Sequence, residues 1–89
     1  MTGIRVDPDE VLRFANDLQG TSIQISSETN SVSSSFEDLR EAWRDARYDQ
    51  FARTFEETVQ VLRGFCAEAE RYADFLREKA RLAEEYLYR

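Results

Sequence analysis

The residues of this chain with the types best suited to chemistry are a single cysteine, two pairs of adjacent carboxylates and a run of serines. Cys66 would need a neighbouring base to act as a nucleophile, and the chain contains no histidine. The pairs Glu56–Glu57 and Glu84–Glu85 are typical of solvated helix faces, because carboxylate metal sites in helix bundles usually draw Glu-x-x-His from facing helices. The run 33–35 has no cue beyond its composition. The sequence therefore predicts a protein that is not an enzyme and has no cofactor or metal site.

The length and net charge of the chain limit which classes of protein and partner remain possible. The chain has 89 residues, 42% of them hydrophobic, which suffices for one small domain. Its net charge of -6 repels nucleic acid and anionic lipid. No apolar run approaches the ~20 residues of a membrane span, and no basic-then-apolar segment opens the chain. We therefore expect no nucleic-acid partner, no membrane insertion, and either a cytoplasmic location or export by a route other than general secretion.

The first of two predicted helices covers about residues 8–42. Asp7 is suited to cap it, Pro8 to its first position, and Glu10 completes a capping-box spacing. The segment 20–35 is rich in Gly, Ser, Thr and Asn, which on propensity alone favours a loop. We predict helix instead, because one apolar row keeps a coiled-coil spacing of seven residues through this segment. That row is Leu18, Ile25, Val32 and Leu39.

The second predicted helix covers about residues 47–88, a stretch without proline. Its apolar residues form several rows, and the resulting face is too wide to be covered by one neighbouring helix. More than one contact surface is therefore expected. Phe55, Leu62 and Leu76 are predicted to pack against the first helix. The remaining aromatic and small residues are predicted to contact a partner, with the small ones allowing close helix approach. These candidate interaction residues are Phe65, Tyr72, Ala73, Ala80 and Tyr86.

The stretch LREAWRDARYDQF, residues 39–51, lies where the first heptad pattern ends and the second begins, so it must turn the chain. The turn is predicted at about residues 43–46. Asp45 is predicted to cap the second helix by accepting hydrogen bonds from the amides of Arg47 or Tyr48. Trp43 is predicted to close the core at the tip by packing on Tyr48 and Phe51. The resulting fold class is all-α, an antiparallel two-helix hairpin with residues 1–89 as one domain.

The chain resembles the WXG superfamily, small helical hairpins exported by type VII (ESX) secretion systems and named for a Trp-x-Gly turn. The resemblance covers nearly the whole chain and rests on its length, the two long helices and the turn residues Trp43, Asp45 and Phe51. Asp45 replaces the glycine of the motif. Asp tolerates turn conformations and caps helices, so we expect the hairpin to be retained.

The resemblance implies a protein that acts through dimerisation, as a homodimer or a heterodimer. A lone hairpin of two long helices buries little apolar surface, which independently favours pairing into a four-helix bundle, most simply with a second copy. Members of the superfamily that the secretion machinery recognises usually carry Tyr-x-x-x-Asp/Glu after the second helix. Here Tyr72 is followed at that spacing by Leu76, and Tyr86 has no such residue before the chain ends. A cytosolic adaptor, chaperone or immunity-type partner of a larger protein is therefore the alternative to a secretion-associated protein.

Overall fold

The computed structural model describes residues 5–87, which form two helices and no strand. Helix α1 is Pro8–Leu39 and helix α2 is Ala46–Leu87. Contacts such as Gln19 with Arg77, and Phe36 with Phe55, show that the helices run antiparallel. The molecule measures 65 × 25 × 13 Å, so it is a single pair of helices lying side by side. The predicted all-α hairpin is confirmed.

The start of α1 is fixed by Asp7. Its Oδ1 accepts hydrogen bonds from the backbone N–H of Asp9 at 3.0 Å and of Glu10 at 3.4 Å, which satisfies amides that have no partner within the helix. The Glu10 carboxylate accepts from the Arg13 guanidinium. Asp7 thus caps the helix, and Glu10 forms a separate ion pair with Arg13 in the first turns of α1.

The serine-rich segment of α1 is helical throughout, as the heptad spacing predicts. Small side chains of this segment, such as Ser22, contact the backbone of α2 directly. Ser22 Oγ donates to the carbonyl oxygen of Cys66 at 3.3 Å, and Cys66 Sγ donates to the carbonyl oxygen of Ser22 at 3.4 Å. Larger side chains at these positions would hold the helices apart, so the composition that lowers helix propensity also allows close packing.

Helix α1 ends at Leu39 rather than at the predicted residue 42. The amides of Arg40, Glu41 and Ala42 each bond to a carbonyl three residues earlier, at 2.9–3.2 Å, so the last turn tightens into a 3₁₀ pattern. Helix α2 begins at Ala46, one residue before its predicted start. The predicted helix end at residue 88 lies outside the described residues.

The buried core between the helices consists mostly of small residues. Its members are at most 4% exposed and come from both helices: Ala15, Ser22, Thr29, Tyr48, Ala69, Ala73 and Ala80. The expectation that Ala73 and Ala80 contact a second molecule is therefore wrong, because they are 0% and 4% exposed and packed in the hairpin itself. Large apolar residues such as Leu62 and Leu76 flank this narrow core and are half-buried.

Candidate interaction surfaces

Asp45 organises the turn between the helices. Its Oδ1 accepts a hydrogen bond from the Tyr48 backbone amide at 2.9 Å, as predicted for a cap of α2. That bond, with smaller contributions from the Trp43 indole N–H and the Arg47 amide, holds the pKa of the Asp45 carboxyl below its usual value. The carboxylate is therefore bound in its charged form at the positive end of α2.

Five aromatic side chains pack together beside this turn and form the tip cluster: Phe36, Trp43, Tyr48, Phe51 and Phe55. The Phe36 ring stacks on Phe55 with centroids 4.3 Å apart and on Tyr48 at 5.4 Å. Trp43 meets Tyr48 edge-on at 5.5 Å and lies 6.2 Å from Phe51. The predicted packing of Trp43 is confirmed. The central place of Phe36 was not predicted, although it precedes Trp43 by seven residues and so shares its row.

The hairpin has two distinct sides, and Arg77 identifies one of them. Its guanidinium donates across the helix pair to Asn16 Oδ1, at 3.1 Å, and to Gln19 Oε1. Leu18 directly precedes Gln19, and Leu76 directly precedes Arg77. One residue is a rotation of about 100° around a helix, so both leucines lie on the opposite side of the buried core from the Arg77 contact. The apolar rows that contain these two leucines therefore share one side, opposite the Arg77 contact.

We call this shared side the apolar face, and it remains open in the single chain. Its outer members are large and solvent-exposed: Phe65 is 45% exposed, Tyr72 58%, Phe14 57% and Val32 48%. Residues seven apart share a helical row, so the row of Phe65 and Tyr72 continues to Tyr86, which is 77% exposed. The face comprises Phe14, Leu18, Ile25, Val32, Leu39, Phe51, Phe65, Tyr72, Leu76 and Tyr86.

The sequence reasoning missed several exposed residues on or near this face, among them Phe14 and Val61. Phe14 is four residues before Leu18, and Val61 is four residues before Phe65, a spacing that places side chains on one side of a helix. Val61 is 70% exposed. The heptad rows alone hide both residues, whereas the i, i+4 spacing would have found them.

The part of the chain that the structure describes contains no group of His, Cys, Asp and Glu side chains arranged to hold a metal ion. Neither described helix is long and apolar enough to cross a membrane. The candidate interaction surfaces are the apolar face and the side that carries the Arg77 contact, which we call the polar side.

The family model described as "Proteins of 100 residues with WXG" (WXG100) matches residues 3–85. That match spans most of the chain and includes the turn with Trp43 and Asp45. The chain belongs to the WXG100 family, whose members are small helical proteins associated with secretion. No curated protein matches it in sequence.

The fold is shared with solved structures of EsxB, described as a secreted protein from Bacillus anthracis str. Sterne. The wild-type EsxB structure superposes with a TM-score of 0.81 at 20% identity, covering 96% of this chain and 99% of EsxB. A second EsxB structure, labelled with selenomethionine, gives a TM-score of 0.80 at 20% identity, covering 97% of this chain and 98% of EsxB. At this identity the likeness establishes the hairpin fold.

Proposed function

We propose that this WXG100 protein is a non-enzymatic interaction protein that pairs through its apolar face with a second helical hairpin, forming a four-helix bundle. The observation that carries the proposal is the group of large, exposed apolar side chains on one side of the hairpin, represented by Phe14, Val32, Phe65 and Tyr72. Large exposed apolar patches of this kind mark interaction surfaces in soluble proteins.

The composition of the core supports pairing. Four of the five buried hydrophobic residues that the structure describes are alanines, and Tyr48 is the other. Burial contributes about 25 cal/mol per Å² of apolar surface, so small side chains supply little stabilisation for two such long helices. Covering Phe65, Tyr72 and their neighbours with a partner would add the large side chains that the hairpin's own core lacks.

The partner we favour is a second copy of the chain. A two-fold axis places the same patch of each copy in contact, so one apolar face can cover another without a further protein. A related hairpin or a larger protein with a matching helical surface would satisfy the same face. The choice among these partners determines whether the purified chain is a stable dimer by itself.

Light scattering on the purified full chain at micromolar concentration tests the pairing. We expect the mass of two chains for the parent and of one chain for Phe65→Glu and Tyr72→Glu, because each variant places a charge in the interface. Ile23→Glu is the matched control. Ile23 is 59% exposed, and it lies four residues after Gln19 and therefore on the polar side.

A parent chain that has the mass of one molecule, a cooperative melt and full helical content would overturn the self-pairing proposal. A poorly folded monomer would instead point to a different hairpin as the partner. Loss of the dimer in Ile23→Glu as well as Phe65→Glu would show that the interface is not the apolar face.

The alternative function is a cytosolic adaptor or chaperone that keeps the hairpin but is not exported. It is favoured by the pair Tyr72 and Leu76, where exported members are expected to have an acidic residue four positions after the tyrosine. Tagged protein should be followed in cells with and without their type VII transporter. Transporter-dependent appearance in the medium supports export, whereas retention in both strains supports the adaptor.

A further inference from the structure

The polar side has a groove between the two helices near the tip cluster. Its volume is about 480 Å³, and Ser33, Phe36, Phe55 and Val59 are among the residues that line it. All four are half-buried. Ser33 follows Gln19 by two heptads, so the groove opens on the side of the Arg77 contact and away from the apolar face. A second hairpin on the apolar face would therefore leave this groove accessible.

The rim of the groove is acidic. Glu37, Glu56 and Glu57 line it together with a single cation, Arg53. None of these four side chains takes part in an ion pair within residues 5–87. Their charges are available to a ligand, and the excess of carboxylates selects for a cationic one.

The Ser33 hydroxyl adds a polar feature to the apolar floor. Its Oγ is buried and has no hydrogen-bond partner among the described residues. A buried hydroxyl without a partner costs free energy, and a donor on a ligand seated in the groove would supply the missing bond. The groove thus offers apolar contact, one hydrogen-bonding position and an acidic rim.

We propose that this groove is a docking site for a cationic amphipathic helix of another protein. Aliphatic side chains on one face of such a helix would contact Phe36, Phe55 and Val59, while flanking Lys or Arg side chains would pair with Glu37 and Glu56. The acidic rim disfavours nucleic acid. This site is separate from the pairing proposed above, so a hairpin with both surfaces engaged joins a dimer partner on one side to a basic helix on the other.

The probe for this site is a fluorescein-labelled synthetic helix of leucine and lysine, with leucines at i, i+3 and i+4 spacing, measured by fluorescence anisotropy against the full chain. We expect saturable binding of one probe per chain that weakens as salt is added. The double variant Glu37→Gln/Glu56→Gln should weaken binding by about tenfold. The dimer measured by light scattering should be unchanged, which separates failure at this site from failure of pairing.

The matched control is Asp17→Asn/Glu70→Gln, which removes the same charge, one group from each helix. Both residues are exposed, and neither lines the groove. The control should change affinity by less than about twofold, since screening confines surface charges to local effects. Equal weakening by both double variants, or by the control alone, would overturn the proposal, as would absence of saturable binding.

Blocking the groove without changing its charge gives a second test. Ser33→Leu should fill the floor and weaken probe binding by about tenfold or more, because the aliphatic side chains of the probe lose their place. Circular dichroism should show unchanged helical content. Binding retained by a folded Ser33→Leu protein would show that the probe is held by charge alone and would overturn the groove as a docking site.

Discussion

At position 45, aspartate can replace the glycine of the family motif because the backbone conformation there does not require glycine. No residue in the described part of the chain has a positive φ angle. The turn is made by tightening the end of α1, and Asp45 then begins α2 by accepting a hydrogen bond from the Tyr48 amide. A side chain that caps the helix is therefore more useful at this position than conformational freedom.

The depressed pKa of Asp45 gives a pH-dependent prediction. Because the folded-state pKa is lowered, the stabilisation is present above the unfolded pKa of ~3.9 and is lost as pH falls through the folded value. Asp45→Asn keeps a capping oxygen without a titratable charge. Urea unfolding should show the parent more stable than Asp45→Asn at pH 7, with the difference shrinking below about pH 4.

Asp45→Leu completes this series, since leucine can neither cap nor accept an amide hydrogen bond. It should be the least stable of the three proteins at pH 7. Equal stability of the Leu and Asn variants would show that the cap contributes nothing. A difference between parent and Asp45→Asn that stays constant down to about pH 2 would show that the charge contributes nothing.

Trp43→Ala should destabilise the hairpin by about 2–3 kcal/mol, less than the ~3–5 kcal/mol of a fully buried tryptophan. The reason is that the ring is half-buried, with contacts to Tyr48 and Phe51 on its inner side. Thermal unfolding measures the loss, and Trp43→Phe is the control that keeps an aromatic ring. A Trp43→Ala protein that melts within a few degrees of the parent yet no longer pairs would make Trp43 a recognition residue.

Much of the tip was predictable at the residue scale because it depends on local rules. Trp43 and Asp45 stand at fixed offsets from the start of α2, and capping and aromatic packing follow from those offsets. The inward position of Ala73 and Ala80 was not predictable in the same way. Two neighbouring rows of α2 are both apolar, and each contributes buried residues, Ala69 from one and Ala73 from the other. The apolar pattern alone therefore does not separate inward from outward positions.

At the scale of the helices, this close packing predicts the effect of enlarging the core. Ala73 is 0% exposed, so Ala73→Leu must push the helices apart and should destabilise the protein by about 1–3 kcal/mol. Ala67→Leu is the matched control at an exposed site of the same helix. Chemical unfolding should separate the two variants, and equal stabilities would contradict the close approach seen at Ala73.

The helix bounds show where sequence reasoning works and where it does not. The spacing of Ile25 and Val32 correctly predicts helix through the serine-rich segment. The segment's low helix propensity is outweighed by packing against α2, where Ser22 and Thr29 are buried. The end of α1 was placed three residues late. Residues 40–42 remain coiled in a 3₁₀ turn, and their sequence has no glycine or proline to separate that turn from α-helix.

At the scale of the whole molecule, the proposed pairing would link thermal stability to protein concentration. If the apolar face is covered in a dimer, the melting temperature should rise between low and high micromolar protein. Phe65→Glu should melt at a temperature that does not change with concentration. Circular dichroism melts of both proteins over a hundredfold dilution series measure the effect, and a concentration-independent parent would contradict the dimer.

The contacts of the tip cluster also predict the order in which the chain folds. Phe36 stacks on Tyr48, twelve residues away, whereas Arg77 reaches Gln19 across 58 residues. Closing a short loop loses less chain entropy than closing a long one, so contacts nearest the tip form first and shorten the loop for the next pair. Contacts between the helices should therefore form first at the aromatic end and then progressively further from the turn. The helix ends furthest from the tip cluster should pack last on folding and separate first on unfolding.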